Sequence, residues 1–181
     1  MRIIVALLVL FAACCSGPSV AADRIPVYGY KLVHTWPHDT GAYTEGLFYL
    51  DGYLYESTGN VGESTVRKVD LRTGKVLQQM PTPSPAYGEG IVAWKNRLIQ
   101  LSWKMQEGFI YDLASLQPLA RFSYSGEGWA LTRNDSRIYM SDGTPTIRVL
   151  DPDTLQQVDQ IDVTAAGEPL TLEQSDIKRS G

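Results

Sequence analysis

Tyr87-Gly88-Glu89-Gly90-Ile91, followed by the run Arg97 to Ser102 and by Asp112-Leu113-Ala114-Ser115, is one unit of a pattern that recurs on both sides of it. Glu-Gly before an apolar residue appears at Glu45-Gly46-Leu47, Glu89-Gly90-Ile91 and Glu127-Gly128-Trp129. A short strand-like run follows each, at Tyr53 to Glu56, Arg97 to Ser102 and Arg137 to Ser141. A further run then ends in Asp-x-x-Thr/Ser, at Asp70 with Thr73, Asp112 with Ser115 and Asp151 with Thr154, so that the aspartates lie 42 and 39 positions apart. An aspartate with a hydroxyl residue three positions on can bond nearby backbone amides and make a tight turn. The spacing therefore predicts a hairpin at the same place in every unit.

Between the turns apolar residues mostly alternate, as in Thr65-Val66-Arg67-Lys68-Val69 and Thr146-Ile147-Arg148-Val149-Leu150, with Gly, Pro, Asp and Asn as punctuation. Four short strands per unit of about 40 residues is the pattern of a β-propeller blade. The sequence thus predicts an all-β fold, a partial β-propeller of about three four-stranded blades. They run approximately from Thr44 to Gln79, Gly88 to Phe122 and Gly126 to Val163, with Pro81 to Pro85 as a connector. Three blades are fewer than the roughly four to eight that close a propeller ring. Thr164 to Gly181 shows no strand pattern, and residues 171–181 read as a divergent, polar, disordered tail.

At the N-terminus a basic Arg2, an apolar run from Ile3 to Cys15 and the small-residue stretch Ser16 to Ala22 have the order of a secretory signal, with cleavage expected before Asp23. The run is too short to span a bilayer comfortably. The expected mature domain covers residues 23–170 and is periplasmic or secreted, with no membrane insertion after signal removal. A lipid anchor on Cys14 suits the signal less well, because Phe11 stands where leucine is wanted. Cys14 and Cys15, the two cysteines, would leave with the signal, which removes disulfides and thiolate metal sites from consideration. A net charge of −4 argues against nucleic acid as a partner. His34 and His38 are the two histidines, and Pro37 between them argues against the helix that their spacing would need to share a metal. His38-Asp39 reads as a turn and no metal site is expected. There is also no Gly-rich phosphate loop and no serine elbow.

Taken together and in order, several segments resemble the plant- and bacterial-type glutaminyl cyclases, or glutamine cyclotransferases, from His34 to about Pro169. They are Pro37-His38-Asp39, Tyr43-Thr44-Glu45-Gly46-Leu47, Asp51-Gly52-Tyr53-Leu54-Tyr55-Glu56-Ser57-Thr58-Gly59, Arg67-Lys68-Val69-Asp70 and Tyr87-Gly88-Glu89-Gly90-Ile91. Trp103-Lys104, Gly108-Phe109-Ile110-Tyr111-Asp112, Gly126-Glu127-Gly128-Trp129 and Ser141-Asp142-Gly143-Thr144 complete the set. The resemblance implies a five-bladed propeller that converts the N-terminal glutamine of peptides to pyroglutamate with loss of ammonia and without a cofactor, unlike the zinc-dependent animal type. It places Glu89 on the catalytic carboxylate and Tyr43, Glu45, Tyr87, Trp103 and Trp129 on substrate-binding positions. Glu45 departs from the Phe-Thr-Gln often found there. After Gly167-Glu168-Pro169-Leu170 the family continues into an Asn-Glu-Leu-Glu segment and two further blades that supply an asparagine, a tryptophan and a lysine. This chain reads Thr171-Leu172-Glu173-Gln174 instead.

The chemistry asks little of the protein. The substrate's own α-amine attacks its γ-carboxamide, so the pocket mainly folds and holds one side chain. One carboxyl can take the proton from the amine and deliver it to departing ammonia, provided that apolar surroundings raise its pKa towards working pH. Periodicity alone gives another reading of Glu-Gly, a turn residue capping backbone amides, and that structural reading is kept for Glu127. Trp103 and Trp129 can offer flat contact and an indole donor, while Trp36 and Trp94 read as packing. The rival to the enzyme is a non-catalytic propeller segment that binds a peptide or protein along exposed blade edges.

Overall fold

The protein was described from a computed structural model covering residues 26–165 and 167–170. The expected signal over residues 1–22 and the tail over 171–181 lie outside the described residues. The chain divides into two units at His34 and Thr35, of which the described residues are 26–34 and, in the second, 35–165 and 167–170. In the first, residues 26–34 are exposed and carry neither helix nor strand.

In the second unit the strands form three antiparallel four-stranded sheets, each a meander in chain order. The first holds β1 (Thr44–Leu50), β2 (Tyr53–Thr58), β3 (Thr65–Asp70) and β4 (Val76–Pro81). The second holds β5 (Gly88–Trp94), β6 (Arg97–Ser102), β7 (Glu107–Asp112) and β8 (Pro118–Ser123). The third holds β9 (Leu131–Arg133), β10 (Ile138–Met140), β11 (Thr146–Leu150) and β12 (Gln157–Asp162). Successive sheets meet through their first strands, β1 on β5 and β5 on β9, whereas β12 is exposed along its length. This is the blade arrangement expected from the repeat.

Strand alternation explains how the middle sheet serves two cores. Successive side chains point to opposite faces, so Ile91, Leu98, Phe109 and Tyr111 join Tyr55 and Val66 in a core with the first sheet. Their neighbours Val92, Ile99, Leu101 and Ile110 join Ile138, Met140 and Leu150 in a core with the third. Gln100 is a polar residue buried completely among them. The Gln100 amide donates to Ser57 Oγ at 2.8 Å and to Thr82 Oγ1 at 3.1 Å, and accepts from Tyr111 Oη at 3.0 Å.

The hairpins predicted from Asp-x-x-Thr/Ser share one geometry. Asp70 Oδ1 accepts from the Thr73 amide and hydroxyl at 2.8 and 2.7 Å, Asp112 Oδ1 from Ser115 at 2.8 and 2.7 Å, and Asp151 Oδ1 from Thr154 at 2.8 and 3.0 Å. The hydroxyls of Thr73 and Ser115, and the backbone amide of Thr154, are the main groups holding the three carboxyls below the usual carboxylate range. The next residue is left-handed each time: Gly74 at φ 67°, Leu116 at 58° and Leu155 at 59°. Glycine is required at 74, where a Cβ would lie 2.6 Å from the Pro37 carbonyl oxygen. The two leucines accept about 1–2 kcal/mol of backbone strain. Burying each side chain offsets this by roughly 1.5–3 kcal/mol.

Two boundaries differ from expectation. Pro81 ends β4 rather than opening the connector, since it pairs with Thr65 at the sheet's edge, where a missing N–H costs nothing. Thr164 to Pro169, expected to lack strands, forms a small hairpin of β13 (Thr164–Ala165) and β14 (Glu168–Pro169), because Gly167 at φ 88° permits a tight reversal.

Candidate active site

The glycine of each Glu-Gly step determines how closely neighbouring backbones approach. A Cβ on Gly46 would lie 2.8 Å from Ile91 N, and one on Gly90 would lie 2.6 Å from Ala130 Cα and 2.7 Å from Leu131 N. The Gly90 amide donates to the Trp129 carbonyl at 2.8 Å, and the Gly128 amide to the Trp103 carbonyl at 2.9 Å. Backbone-to-backbone contact of this kind leaves no room for a side chain. The glutamate before each glycine is thereby carried to where the sheets converge. Irregular pairing between Thr44 and Gly46, and between Gly88 and Ile91, re-aims Glu45 and Glu89 out of the regular alternation.

None of the three carboxylates caps a backbone amide among the described residues, so the turn-capping reading is corrected for the whole set. Each has its own surroundings. Glu45 accepts the Tyr87 hydroxyl at 2.7 Å. Glu127 Oε2 accepts both the Trp103 and the Trp129 indole N–H, at 2.6 and 2.9 Å, while its Oε1 lies 3.9 Å from Lys104 Nζ. No donor among the described residues reaches Glu89. Its burial, and then the charges of Glu45 and Glu127, push its pKa up to about 8. The surroundings therefore raise the pKa as anticipated, but like charge adds to desolvation.

The aromatic residues have equally definite supports. The Tyr87 ring lies where a Cβ on Gly59 would be 2.5 Å away, and it meets Trp103 edge-on with centroids 5.8 Å apart. Burial, followed by the bond to Glu45, raises the Tyr87 phenol further above its ordinary range. Trp129 lies over Gly143, which adopts φ 80° and has no Cβ to obstruct the ring. Lys104 Nζ sits 3.9 Å from the Trp103 ring centroid, a cation–π contact. The expected indole donors of Trp103 and Trp129 are engaged by Glu127, which leaves ring faces and edges for a ligand.

Tyr43 stands 57% exposed just before β1, in a groove with His38, Asp39 and Glu45. His38 Nε2 is 2.8 Å from Oε1 of the buried Glu56, which also accepts the Thr44 hydroxyl at 2.5 Å and so anchors the chain just before Glu45. Asp39 closes a turn by accepting the Gly41 amide at 2.9 Å, in keeping with the turn read from sequence. Trp94 packs against the second core and also donates to Asp153 at 3.0 Å, while Trp36 keeps 39% of its surface exposed. Among the described residues no group of three or more His, Cys, Asp or Glu is disposed to hold a metal ion.

A sequence model of the family described as Glutamine cyclotransferase matches residues 5–173. The chain belongs to that family. An Arabidopsis thaliana protein named glutaminyl-peptide cyclotransferase is 40% identical over 132 residues, 72% of this chain and 41% of its own length. The crystal structure of Myxococcus xanthus glutaminyl cyclase is similar with a TM-score of 0.68 at 30% identity, over 76% of this chain and 58% of that one. The chain thus spans about half the length of these glutamine cyclotransferase relatives. The WD40 domain of Neurospora crassa Pan2, at TM-score 0.55 and 13% identity over 66% of this chain and 36% of that one, shares the fold alone.

Proposed function

We propose that this glutamine cyclotransferase chain acts on peptides that begin with glutamine, forming pyroglutamate and ammonia, with Glu89 as the acid–base group. The observation that carries this reading is the Glu89 carboxyl: part-buried, reached by no donor among the described residues, and poised near pH 8 between two other carboxylates. An acid–base group works best when its pKa lies near the operating pH. In the step proposed, the α-amine nitrogen forms a bond to the γ-carboxamide carbon and the bond from that carbon to the amide nitrogen breaks. Glu89 receives the amine proton and returns it to the departing nitrogen, which leaves as ammonia. Glu45 and Tyr87 border the amine side, and the faces of Trp103 and Trp129 form the walls against which the glutamine side chain folds.

Ammonia release from a glutamine-initiated dipeptide tests the proposal. Glu89→Gln keeps the shape and removes the proton carrier, and is expected to lower turnover by about 10²–10⁴-fold. Equal turnover in both proteins overturns the role of Glu89. No turnover in either, with peptide binding retained, favours the non-catalytic binding segment instead. We also propose export to the periplasm or medium, supported by the charge, apolar run and small residues of 1–22. N-terminal sequencing of the exported protein is expected to begin at Asp23, and an intact Met1 would contradict this.

A further inference from the structure

We infer that Glu127 is a positioning residue of the site, one carboxylate oxygen binding the indole N–H groups of Trp103 and Trp129 together and so fixing both aromatic walls beside Glu89. This rests on the reading of Glu89 and the two tryptophans given above. The two rings come from different sheets, Trp103 after β6 of the second and Trp129 before β9 of the third. A single acceptor at 2.6 and 2.9 Å from the two nitrogens therefore ties one blade's wall to the next. Glu127 and Trp129 are two residues apart, and the bond between their side chains closes within that short stretch before β9. Their backbones are pinned as well, Gly128 N to Trp103 O at 2.9 Å and Trp129 N to Ser141 O at 3.0 Å.

The remaining oxygen faces Lys104, whose ammonium also covers the Trp103 ring. The carboxylate, one lysine and two indoles thus close a small polar cluster whose outer surface is aromatic. Hydrogen bonds to an ionised group are stronger than neutral ones, and a shared acceptor leaves each indole little rotational freedom. The charge has a second effect. Glu89 faces Glu45 of β1, Tyr87 just before β5, Tyr124 after β8, and Glu127 before β9, and the negative charge of Glu127 helps to retain the proton on Glu89.

Two substitutions separate anchoring from charge. Glu127→Gln retains an acceptor oxygen without the charge, and Glu127→Ala removes both. Indole N–H resonances in ¹⁵N-labelled protein, assigned with Trp103→Phe and Trp129→Phe, report the anchoring without reference to activity. Glu127→Ala is expected to shift both resonances and to raise KM for a glutamine-initiated dipeptide by about tenfold or more. Glu127→Gln is expected to keep both resonances near their positions and KM within about threefold, while moving the rise of kcat/KM with pH to lower pH. Unmoved indole resonances in Glu127→Ala, or the same KM in Glu127→Ala as in the wild type, would overturn the inference. If the wild-type protein releases no ammonia, the proposed function fails while the resonances still decide whether Glu127 sets the rings.

Discussion

At the outer hairpins the three sheets reproduce one another bond for bond, whereas at their inner ends the same Glu-Gly step meets three different surroundings. Asp70, Asp112 and Asp151 each bind a hydroxyl and an amide three residues on. Glu45, Glu89 and Glu127 instead meet a phenol, no donor among the described residues, and two indoles. A repeat keeps its geometry wherever folding is its only task. It diverges in side-chain partners where neighbouring units supply groups to a shared point, and Gly46, Gly90 and Gly128 are what let those units approach.

The first way to break this comparison is to remove the close approach. Gly90→Ala would place a methyl 2.6 Å from Ala130 Cα, where only backbone is available to move. It is expected to cost about 3 kcal/mol, combining overpacking with a weakened hydrogen bond, and urea unfolding of the two proteins measures it. The second sharpens the inner end by titration. Between its ordinary value of 4.5 and about 8, Glu89 holds in the folded state a proton that the unfolded chain has released. Stability from this group is therefore full below the ordinary value and falls as pH rises through about 8. Glu89→Gln removes the effect. It is expected to match wild type at about pH 4 and to exceed it at about pH 9 by on the order of 2 kcal/mol after solvent screening is allowed for. Thermal melts at both pH values check the sign. The smallest effect belongs to the outer turn, where Asp112→Ala removes two hydrogen bonds at an exposed site and is expected to lower the urea midpoint of unfolding only slightly, without changing turnover.

The outer geometry was legible because it is local: an aspartate and a hydroxyl three residues apart meet within one turn, and alternation of apolar residues shows which face each takes. Glu89 was marked by its family resemblance, and periodicity would have left it among three equivalent glutamates. What could not be read is the pairing of Trp103 with Glu127, which are 24 residues apart and brought together only by two sheets packing. The bond from Trp129 to Glu127 spans only two residues, but it lies between β8 and β9, outside any strand, so alternation did not mark it either. The Thr164 to Pro169 hairpin was missed because two-residue strands offer too short a stretch for alternation to register. The left-handed leucines at 116 and 155 were hidden for the opposite reason, as packing overrides the glycine preference that marks position 74.

Gln100 bears on how the first two sheets find their alignment. Aliphatic surfaces slide over one another with little penalty, but a buried amide satisfied by Ser57, Thr82 and Tyr111 accepts a single setting. Displacing one sheet by a residue would strand that amide in a dry interior, at about 1–3 kcal/mol for each orphaned group. The seam thus carries its own gauge, and the same gauge keeps Tyr87 and Glu45, contributed by opposite sides of it, within reach of each other.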